Sequence, residues 1–470
     1  MLPIGNRRHV SDAEVVTEQM MNNEKHGLPA EQEAARGAYI LAATCDLNGC
    51  FRGKRVEAGS LGKILKNGIR MPMSSIGVDI WGTDVFANSL TLDQGDLDGI
   101  CEPTERGPIP LAWSTTQAQF VPMWMRMETG EPFFGDPRRT LADILDRFQA
   151  VHLTPVVATE VEFYLIDPKS PRAKPLTRMP VGHADAKDTI YSLEELAEVG
   201  PFLDDVYAMA AACGVAVDAA TSESGPSQFE FNLMHGPDAL KVADDTVFFK
   251  QIVRNMARKH GFAATFMAKP YPAHSGSGLH VHFSIIDAQG RNVFDNGGPE
   301  GTVLMRQAVA GLIDAMPDCT ALFAPHLNSF RRLCPDSLAP TTAAWGYENR
   351  TAAIRIPGGP SVARRIEHRV AGIDANPYLV IAAILGAAID GITRHAEPPA
   401  PTAGNTYASD AQSLPATWAA ALDLFEQSEI VKRIFQPKLI EMFSTCKRQE
   451  LAVFNRDISD LEYASYLHSV

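Results

Sequence analysis

The chain has 470 residues, a net charge of -14 and a pI near 5.4, which argues against nucleic acid or an anionic membrane as its main partner. Hydrophobic residues make up 45% of it, enough for a normal core in two domains or one large one. We expect a cytoplasmic protein, because no membrane span or signal peptide is visible and the seven cysteines show no metal-binding spacing.

Three segments follow one another along the chain. Residues 1–36 are polar with helical stretches and predict a helical lead-in. Residues 37–135 show short apolar runs broken by Gly, Asn and Asp, which predicts a small domain of mixed strands. Residues 136–470 form the third segment, after a boundary at Gly135-Asp136-Pro137. We therefore expect an α+β protein with two domains behind the lead-in.

Apolar periodicity and turn residues give the expected elements. The predicted strands are 38–45, 51–56, 77–81, 120–127, 154–166, 228–233, 263–267, 280–286 and 352–356. The predicted helices are 140–151, 192–213, 243–260, 303–316 and 377–392, with an amphipathic helical region at 418–467. Two segments rich in Pro, 167–188 and 397–417, predict surface loops.

Acidic side chains occupy alternating or turn-flanking positions of the predicted strands. Glu160 and Glu162 share one strand face, and Glu223 and Glu230 flank a Gly-Pro turn. Either pair alone would also suit a solvent-exposed face or a capped loop. Together with Glu367 in one cavity they would repel one another without cations, and Mg²⁺ or Mn²⁺ suits such an oxygen-rich site.

A glycine-rich loop runs into a strand that carries imidazoles. The Ser-Gly-Ser-Gly loop before Leu279 lets backbone amides approach a ligand, because glycine has no Cβ. The strand then presents His280, His282 and Ser284 on one face. A single strand histidine is more often structural, but two behind a glycine loop favour a binding site.

Arginines gather in the following part of the chain, at 328–332, 345–350 and 354–357. Arg355 stands between two isoleucines, which predicts that its side chain points into a polar cavity. Further on, Glu367 and Arg369 would face the site together. Such arginines suit bidentate binding of phosphates and carboxylates, and a structural salt-bridge network is the alternative.

Taken in this order, the motifs resemble the glutamine synthetase superfamily over nearly the whole chain. The pattern is E-x-E, E-x-G-P-x-Q-x-E, G-S-G-x-H-x-H, N-S-x-R-R, N-R-x-x-x-R-I-P and R-x-E-x-R followed by A-N-P-Y-L. The resemblance implies an N-terminal β-grasp domain at 37–135 and a catalytic domain at 136–470 with a curved antiparallel sheet flanked by helices. It also implies a homo-oligomer, usually a dodecamer of two hexameric rings, with sites completed by neighbouring subunits.

The resemblance also implies ATP, two to three Mg²⁺ or Mn²⁺ ions per site, and roles for individual residues. It implies that Glu162, Glu223 and Glu230 are ligands of one metal ion, and that Glu160, His280 and Glu367 are ligands of a second. It implies that Gly276 and Arg332 bind the glutamate substrate and that Arg350 and Arg355 bind the phosphates. It places Arg369 between phosphate and γ-carboxylate as the third catalytic arginine, and His282 and Ser284 on the nucleotide side.

Two departures bear on the substrate. Ammonia-using members carry carboxylates at the positions of Pro72 and Leu338, and a site for ammonium needs paired charge. Segments 46–55 and 446–451 further resemble γ-glutamylpolyamine (γ-glutamylputrescine) synthetases. We expect ATP-dependent ligation of glutamate to putrescine or a related polyamine. The alternatives are ligation of a monoamine such as an alkylamine, ethanolamine or an aniline, glutamine synthesis from ammonia, and a non-catalytic ring scaffold.

The motifs do not identify the residues that form the pocket for the accepting amine. Asp79, Asp84 and Glu348 are candidates for holding a second amine charge, because they lie near the substituted positions. Trp345, Met73 and Trp81 are candidates for an apolar wall.

Overall fold

A computed structural model describes residues 37–91, 95–170, 172–176, 190–335 and 337–470. The predicted lead-in at 1–36 lies outside the described residues, as does part of the predicted loop at 167–188. The fold is α+β with two sheets, which confirms the predicted class. The first sheet ends at Arg126 and the second begins at Leu153, on either side of the predicted boundary.

The first sheet is mixed and has one α-helix beside it. Its strands are β1 (Tyr39–Cys45), β2 (Phe51–Glu57), β3 (Ile69–Pro72), β4 (Asp98–Pro103), β5 (Ile109–Pro110) and β6 (Ala118–Arg126), with α1 at Leu61–Asn67. The strand order is β2-β1-β6-β4-β3, and β5 pairs with β6. The β1–β6 pair is parallel and the others are antiparallel. This arrangement agrees with the expected β-grasp domain.

One predicted strand in this region, 77–81, is wrong. The segment turns instead, because the Asp79 carboxylate accepts hydrogen bonds from the backbone amides of Trp81 and Thr83 at 3.1 and 2.9 Å. The Asp79 amide also donates to the Thr83 carbonyl. An aspartate that binds amides two and four residues ahead favours a turn over a strand.

The second sheet is almost wholly antiparallel and carries the acidic motifs. Its strands are β7 (Leu153–Ile166), β8 (Val217–Ser222), β9 (Gln228–Leu233), β10 (Ala263–Thr265), β11 (Leu279–Asp287), β12 (Trp345–Tyr347), β13 (Ile354–Ile356) and β14 (Ile366–His368). The order is β12-β13-β14-β11-β7-β9-β8, with β10 paired to β7, and β12–β13 is the parallel pair.

Helices cover the second sheet and close the chain. They are α2 (Pro137–Gln149), α3 (Leu193–Glu198), α4 (Gly200–Ala212), α5 (Ala239–Lys259), α6 (Val303–Ala315), α7 (Thr320–Phe323), α8 (Ser329–Arg332), α9 (Pro377–Thr393), α10 (Trp418–Gln427), α11 (Glu429–Ile434), α12 (Pro437–Phe454) and α13 (Asp460–Tyr466). The predicted helix at 192–213 is two helices, because the Gly200-Pro201 pair starts a new one. Among the described residues, no helix is both long and apolar enough to cross a membrane.

A set of buried polar contacts joins the two sheets' domains. Asn376 caps α9 and donates to the carbonyl of Asp46 at 2.9 Å. Arg138 donates to both Asp244 at 2.9 Å and Glu105 at 2.7 Å, and the Tyr378 hydroxyl donates to Asp244 at 2.6 Å. The A-N-P-Y-L motif therefore serves domain packing, and its residues fix the start of the most apolar helix.

Candidate active site

Strand register places the acidic and basic side chains of the motifs in adjoining rows on one face of the second sheet. Glu160 on β7 lies opposite His280 on β11, and Glu162 lies opposite Glu230 on β9. Glu367 on β14 lies between His282 on one side and Arg355 on the other. Opposed residues of antiparallel strands have Cβ atoms within about 5.5 Å, so five strands converge on one cluster.

The opposite face of the same strands forms the core, which is why the alternation is strict. Val161 and Phe163 on β7 are fully buried, as are Leu279 and Val281 on β11. Arg355 stands between buried Ile354 and Ile356 and still reaches the acidic face, as the sequence predicted. A slip of one residue would send these apolar side chains into the polar face, so core burial holds the site in register.

Glu160 is held between two imidazoles. Its two carboxylate oxygens are hydrogen-bonded to His280 Nδ1 and His282 Nε2, each at 2.8 Å. Burial acts to raise the pKa of Glu160, but the hydrogen bonds from both histidines hold it well below its usual value. The carboxylate is therefore ionised and fixed in orientation.

Glu162 is oriented by the glycine loop. The amide of Gly278 donates to Glu162 Oε2 at 2.7 Å, and His280 Nε2 lies 3.8 Å from Oε1. A Cβ on Gly278 would meet Arg332 Nη2 at 2.7 Å and His280 Nε2 at 2.9 Å. Glycine is thus required here for close approach, and in this structure the loop amide positions a carboxylate.

Glu367 is neutralised by two guanidinium groups. Arg355 Nη1 donates to its Oε2 at 2.8 Å, and Arg369 Nη1 donates to Oε1. Burial acts to raise the pKa of Glu367, but the charge of Arg369, followed by His282, lowers it to about 2. Arg355 Nη2 also lies 3.6 Å from Glu348, so this arginine links the cluster to an exposed carboxylate.

Glu223 and Glu230 have the opposite electrostatic setting. Burial, followed by the charges of Glu162 and Glu160, raises the pKa of Glu223 to about 8. Burial and the same two carboxylates also raise the pKa of Glu230 well above its usual value. Crowded carboxylates that resist ionisation are stabilised by a divalent cation, since it supplies the missing positive charge.

The donor atoms fit divalent cations by type and spacing. Glu160, His280 and Glu367 offer ligand atoms within 4.8 Å of one another, and so do Glu162, Glu230 and His280. The first set is the one predicted for the second metal. Glu223 lies outside the second set by this spacing, so its predicted place among the ligands stays a prediction. Oxygen donors with one imidazole suit Mg²⁺ or Mn²⁺.

Arg332 and Gly276 are in contact, as two groups predicted to hold one substrate should be. A Cβ on Gly276 would lie 2.6 Å from Cγ of Arg332, so the glycine makes room for the arginine. Arg332 is buried, which lowers its pKa, and its Nη1 donates to the carbonyl of Val370 at 2.7 Å. Its Nη2 donates to the Arg369 carbonyl at 3.3 Å, which connects it to the acidic cluster.

The predicted nucleotide side opens into a cavity of about 1090 Å³ that begins at the acidic cluster. Glu160, His282 and Ser284 line it, with Ser284 two positions along β11 from His282. Arg365 also lines it and donates from Nε to His282 Nδ1 at 3.3 Å. Arg350 is exposed, and its charge acts to lower the pKa of Glu223, so it lies near the cluster.

Arg365 was missed from the sequence. It stands at the same parity as Glu367 and Arg369, so the period of two that singled out those residues also indicated this one. Gln228 is the glutamine of the E-x-G-P-x-Q-x-E motif, and the sequence did not indicate its role. Its side chain donates to the Gly276 carbonyl at 3.0 Å. Both act by holding a neighbour of the cluster in place.

The residues considered for the amine pocket separate into buried and exposed groups. Asp79 is 2% exposed and satisfied by backbone amides, and Trp345 is 2% exposed with its indole bound to the Pro399 carbonyl. Leu338 is 52% exposed and Trp81 is 51% exposed. The first two therefore serve the fold, whereas Leu338 and Trp81 are exposed, and the Trp81 ring also lies 5.5 Å from that of Phe454.

Comparison with known proteins finds a family whose catalytic domain covers the residues of this cluster. The catalytic domain of glutamine synthetase matches residues 134–466, which include every motif on the acidic face. The chain belongs to the glutamine synthetase family. That assignment covers the second sheet and its helices, and it begins within two residues of the predicted domain boundary at 136.

Similar members of the family act on amines. The chain is 37% identical to γ-glutamylputrescine synthetase PuuA of Escherichia coli K12, over 90% of each chain. It is 32% identical to γ-glutamylethanolamide synthetase GlnA4 of Streptomyces coelicolor, over 90% of this chain and 91% of that one. Among solved structures, a GmaS complex with ADP matches with a TM-score of 0.80 and 27% identity, covering 91% of this chain and 96% of that one.

Proposed function

We propose that the protein is an ATP-dependent ligase that joins the γ-carboxylate of glutamate to an amine through γ-glutamyl phosphate. The observation that carries the proposal is the cluster on the second sheet, in which carboxylates, imidazoles and guanidinium groups converge from five strands. Transfer of a phosphoryl group to a carboxylate brings several negative charges together, and this cluster supplies matching cationic groups and cation ligands.

Each group of the cluster has a role in that reaction. Arg332, with Gly276 beside it, binds the glutamate substrate. Arg350 and Arg355 bind phosphate, and Arg369 lies between phosphate and the γ-carboxylate; their charges stabilise the negative charge that develops during transfer. His282 and Ser284 bind on the nucleotide side, where the 1090 Å³ cavity opens.

Divalent cations complete the site in this proposal. Glu160, His280 and Glu367 would hold one, and Glu162 and Glu230 would hold another together with Glu223. Mg²⁺ or Mn²⁺, at two to three ions per site, would supply positive charge to the phosphate oxygens and the transferring group when bound. The raised pKa values of Glu223 and Glu230 support this, because a bound cation removes the repulsion that makes these carboxylates resist ionisation.

Putrescine or a related polyamine is the acceptor that we propose. Pro72 and Leu338 stand where ammonia-using members carry carboxylates, and neither can help to bind or deprotonate ammonium. The 37% identity to a γ-glutamylputrescine synthetase supports the same choice. Likeness to the ethanolamide synthetase, at 32%, keeps a monoamine as the second candidate.

We propose a homo-oligomer, a dodecamer of two hexameric rings with sites at subunit interfaces, in the cytoplasm. The exposed side chains of Leu338 and Trp81 support an oligomer, because a neighbouring subunit that covered them would remove large apolar groups from water.

The test is phosphate release from ATP with glutamate and Mg²⁺ across ammonia, putrescine, spermidine, ethylamine, ethanolamine and aniline. We expect release that putrescine stimulates and ammonia does not. His280→Ala should abolish release with an unchanged circular dichroism spectrum, because it removes a ligand shared by both cation groups. Release with ammonia alone, or full turnover by His280→Ala, would overturn the acceptor or the site assignment respectively.

Leu338→Glu probes the acceptor directly. Leu338 is exposed and adopts a left-handed backbone with φ of 57°, and glutamate at this position restores the carboxylate that ammonia-using members have. We expect weaker use of putrescine and a gain in ammonia-dependent release. The control is Leu424→Glu on α10, also exposed and on a helix outside the cluster, which should leave the amine preference unchanged.

A further inference from the structure

A second large cavity lies away from the acidic cluster, between the first sheet and α5. Its volume is about 1400 Å³, and β1, β2, α5 and β10 contribute to its walls. Part of the wall is aromatic. The rings of Trp113 and Phe248 lie 5.6 Å apart, and Phe120 packs on Phe248 at 5.3 Å. The proposed reaction uses none of these residues.

Positive charge collects in this cavity although the chain as a whole is acidic. Five cations line it, namely Lys54, Arg55, Lys250, Arg254 and Arg331. None of the five has an ion pair with a carboxylate in the described part of the chain, whereas the buried Arg138 and Arg369 do. Three carboxylates also line the cavity: Asp374 accepts from Ser329, Glu462 accepts from Ser459, and Asp457 is exposed.

Arg254 is held against an aromatic ring. It is half-buried on α5, and its guanidinium lies 4.8 Å from the ring centroid of Phe266. Lys250, one turn earlier, lies 5.8 Å from the same ring and donates to the Ile373 carbonyl at 2.5 Å. A half-buried guanidinium that stacks on an aromatic ring keeps its edge free for a planar anion.

We propose that this cavity binds a small organic anion, whose carboxylate or phosphate pairs with Arg254 and whose apolar body lies against Trp113 and Phe248. Arginine matches both anions with paired hydrogen bonds, and the aromatic wall favours a flat body. Its place in the fold suggests regulation. Arg331 lines this cavity, and the next residue, Arg332, belongs to the proposed glutamate site, so one short helical turn touches both.

The binding test uses 8-anilinonaphthalene-1-sulfonate on the full-length protein. We expect bound dye to accept energy from Trp113 and to be displaced by benzoate and phenyl phosphate but not by neutral benzamide. The ranking of benzoate and phenyl phosphate tells which anion the site prefers. Arg254→Gln should weaken binding by about tenfold or more, because it loses a charge-assisted hydrogen bond. Arg331→Gln, at an exposed residue, should weaken it too and covers the case in which Arg254→Gln misfolds.

Arg258→Gln is the matched control. Arg258 lies one turn further along the same helix, is exposed, and does not line the cavity. Equal affinity in Arg254→Gln and Arg258→Gln, energy transfer unchanged in Trp113→Phe, or complete displacement by ADP would each overturn the proposal. A fourth result would also overturn it: no dye binding in the parent protein, together with a changed oligomeric state in Arg254→Gln. The cations would then bind a second copy of the chain and not a small anion.

A further measurement addresses regulation and rests on the proposed function. Benzoate should change the KM for glutamate in the parent protein and leave it unchanged in Arg254→Gln. If the ligase activity proves absent, the dye experiment still decides whether the site exists. If dye binds and KM does not respond, the site stands and its link through Arg331 to the substrate is refuted.

Discussion

Lys447 and Glu450 form a buried ion pair that fastens the last long helix to the first domain. Both side chains are completely buried, and Lys447 Nζ lies 3.1 Å from Glu450 Oε2. Lys447 also donates to Asn48, and Glu450 accepts from the Ile80 amide at 2.9 Å. Burial acts to raise the pKa of Glu450, but Lys447 and then His326 hold it below its usual value.

We predict that Lys447→Met and Glu450→Gln each lower the free energy of unfolding by about 3 kcal/mol or more, because either change leaves one buried charge without its partner. The double variant should lose clearly less than the sum, with a coupling of about 2 kcal/mol, since it leaves no unpaired charge. Urea unfolding followed by circular dichroism measures all three, with the slope of the transition as a check that the denatured state is unchanged.

An exposed pair provides the matched control. Glu429 and Lys432 have the same three-residue spacing and a 2.7 Å contact, but their side chains are 80% and 44% exposed. Lys432→Met should leave the unfolding midpoint unchanged within error, since exposed pairs contribute little. Losses below about 1 kcal/mol in both single variants at 447 and 450, or strict additivity in the double variant, would refute the claim that burial makes this pair matter.

Two other predictions concern backbone and pH. Gly278→Ala should reduce turnover strongly, because the new Cβ meets Arg332 and His280 below 3 Å, whereas Gly298→Ala, whose Cβ meets only Asn296 at 3.4 Å, should not. Burial raises the pKa of Asp136 to about 6, above its unfolded value, so its contribution is full in acid and lost as pH rises through 6. Relative to Asp136→Asn, the parent protein should lose about 2 kcal/mol between pH 4 and 7, measured by urea unfolding.

Much of the second sheet was predictable, because a strand places alternate side chains on opposite faces. That rule put Glu160 with Glu162 and His280 with His282, and it explained Arg355 between two isoleucines. It could not give the pairing of strands. The opposition of Glu160 to His280 depends on register, which the packing of the apolar face sets across residues distant in sequence.

Local turn chemistry and long-range contacts were the harder part. Residues 77–81 have the apolar content of a strand, but the Asp79 carboxylate binds the amides ahead of it and forms a turn. The role of Arg365 depends on His282 of another strand, and no short-range pattern reveals that contact. The cations of the 1400 Å³ cavity come from both domains, so their proximity was also invisible in the sequence.

The two segments that most resembled polyamine-using relatives have a structural explanation. Asn48, in the segment 46–55, accepts a hydrogen bond from Lys447, in the segment 446–451. Asp46 receives the Asn376 side chain at its carbonyl, and the Cys446 thiol lies against the Val78 carbonyl. These segments therefore contribute to the packing of the first domain on the last long helix. The proposed acceptor rests on Pro72 and Leu338 together with the identity to a γ-glutamylputrescine synthetase, and Leu338→Glu tests the contribution of the residue directly.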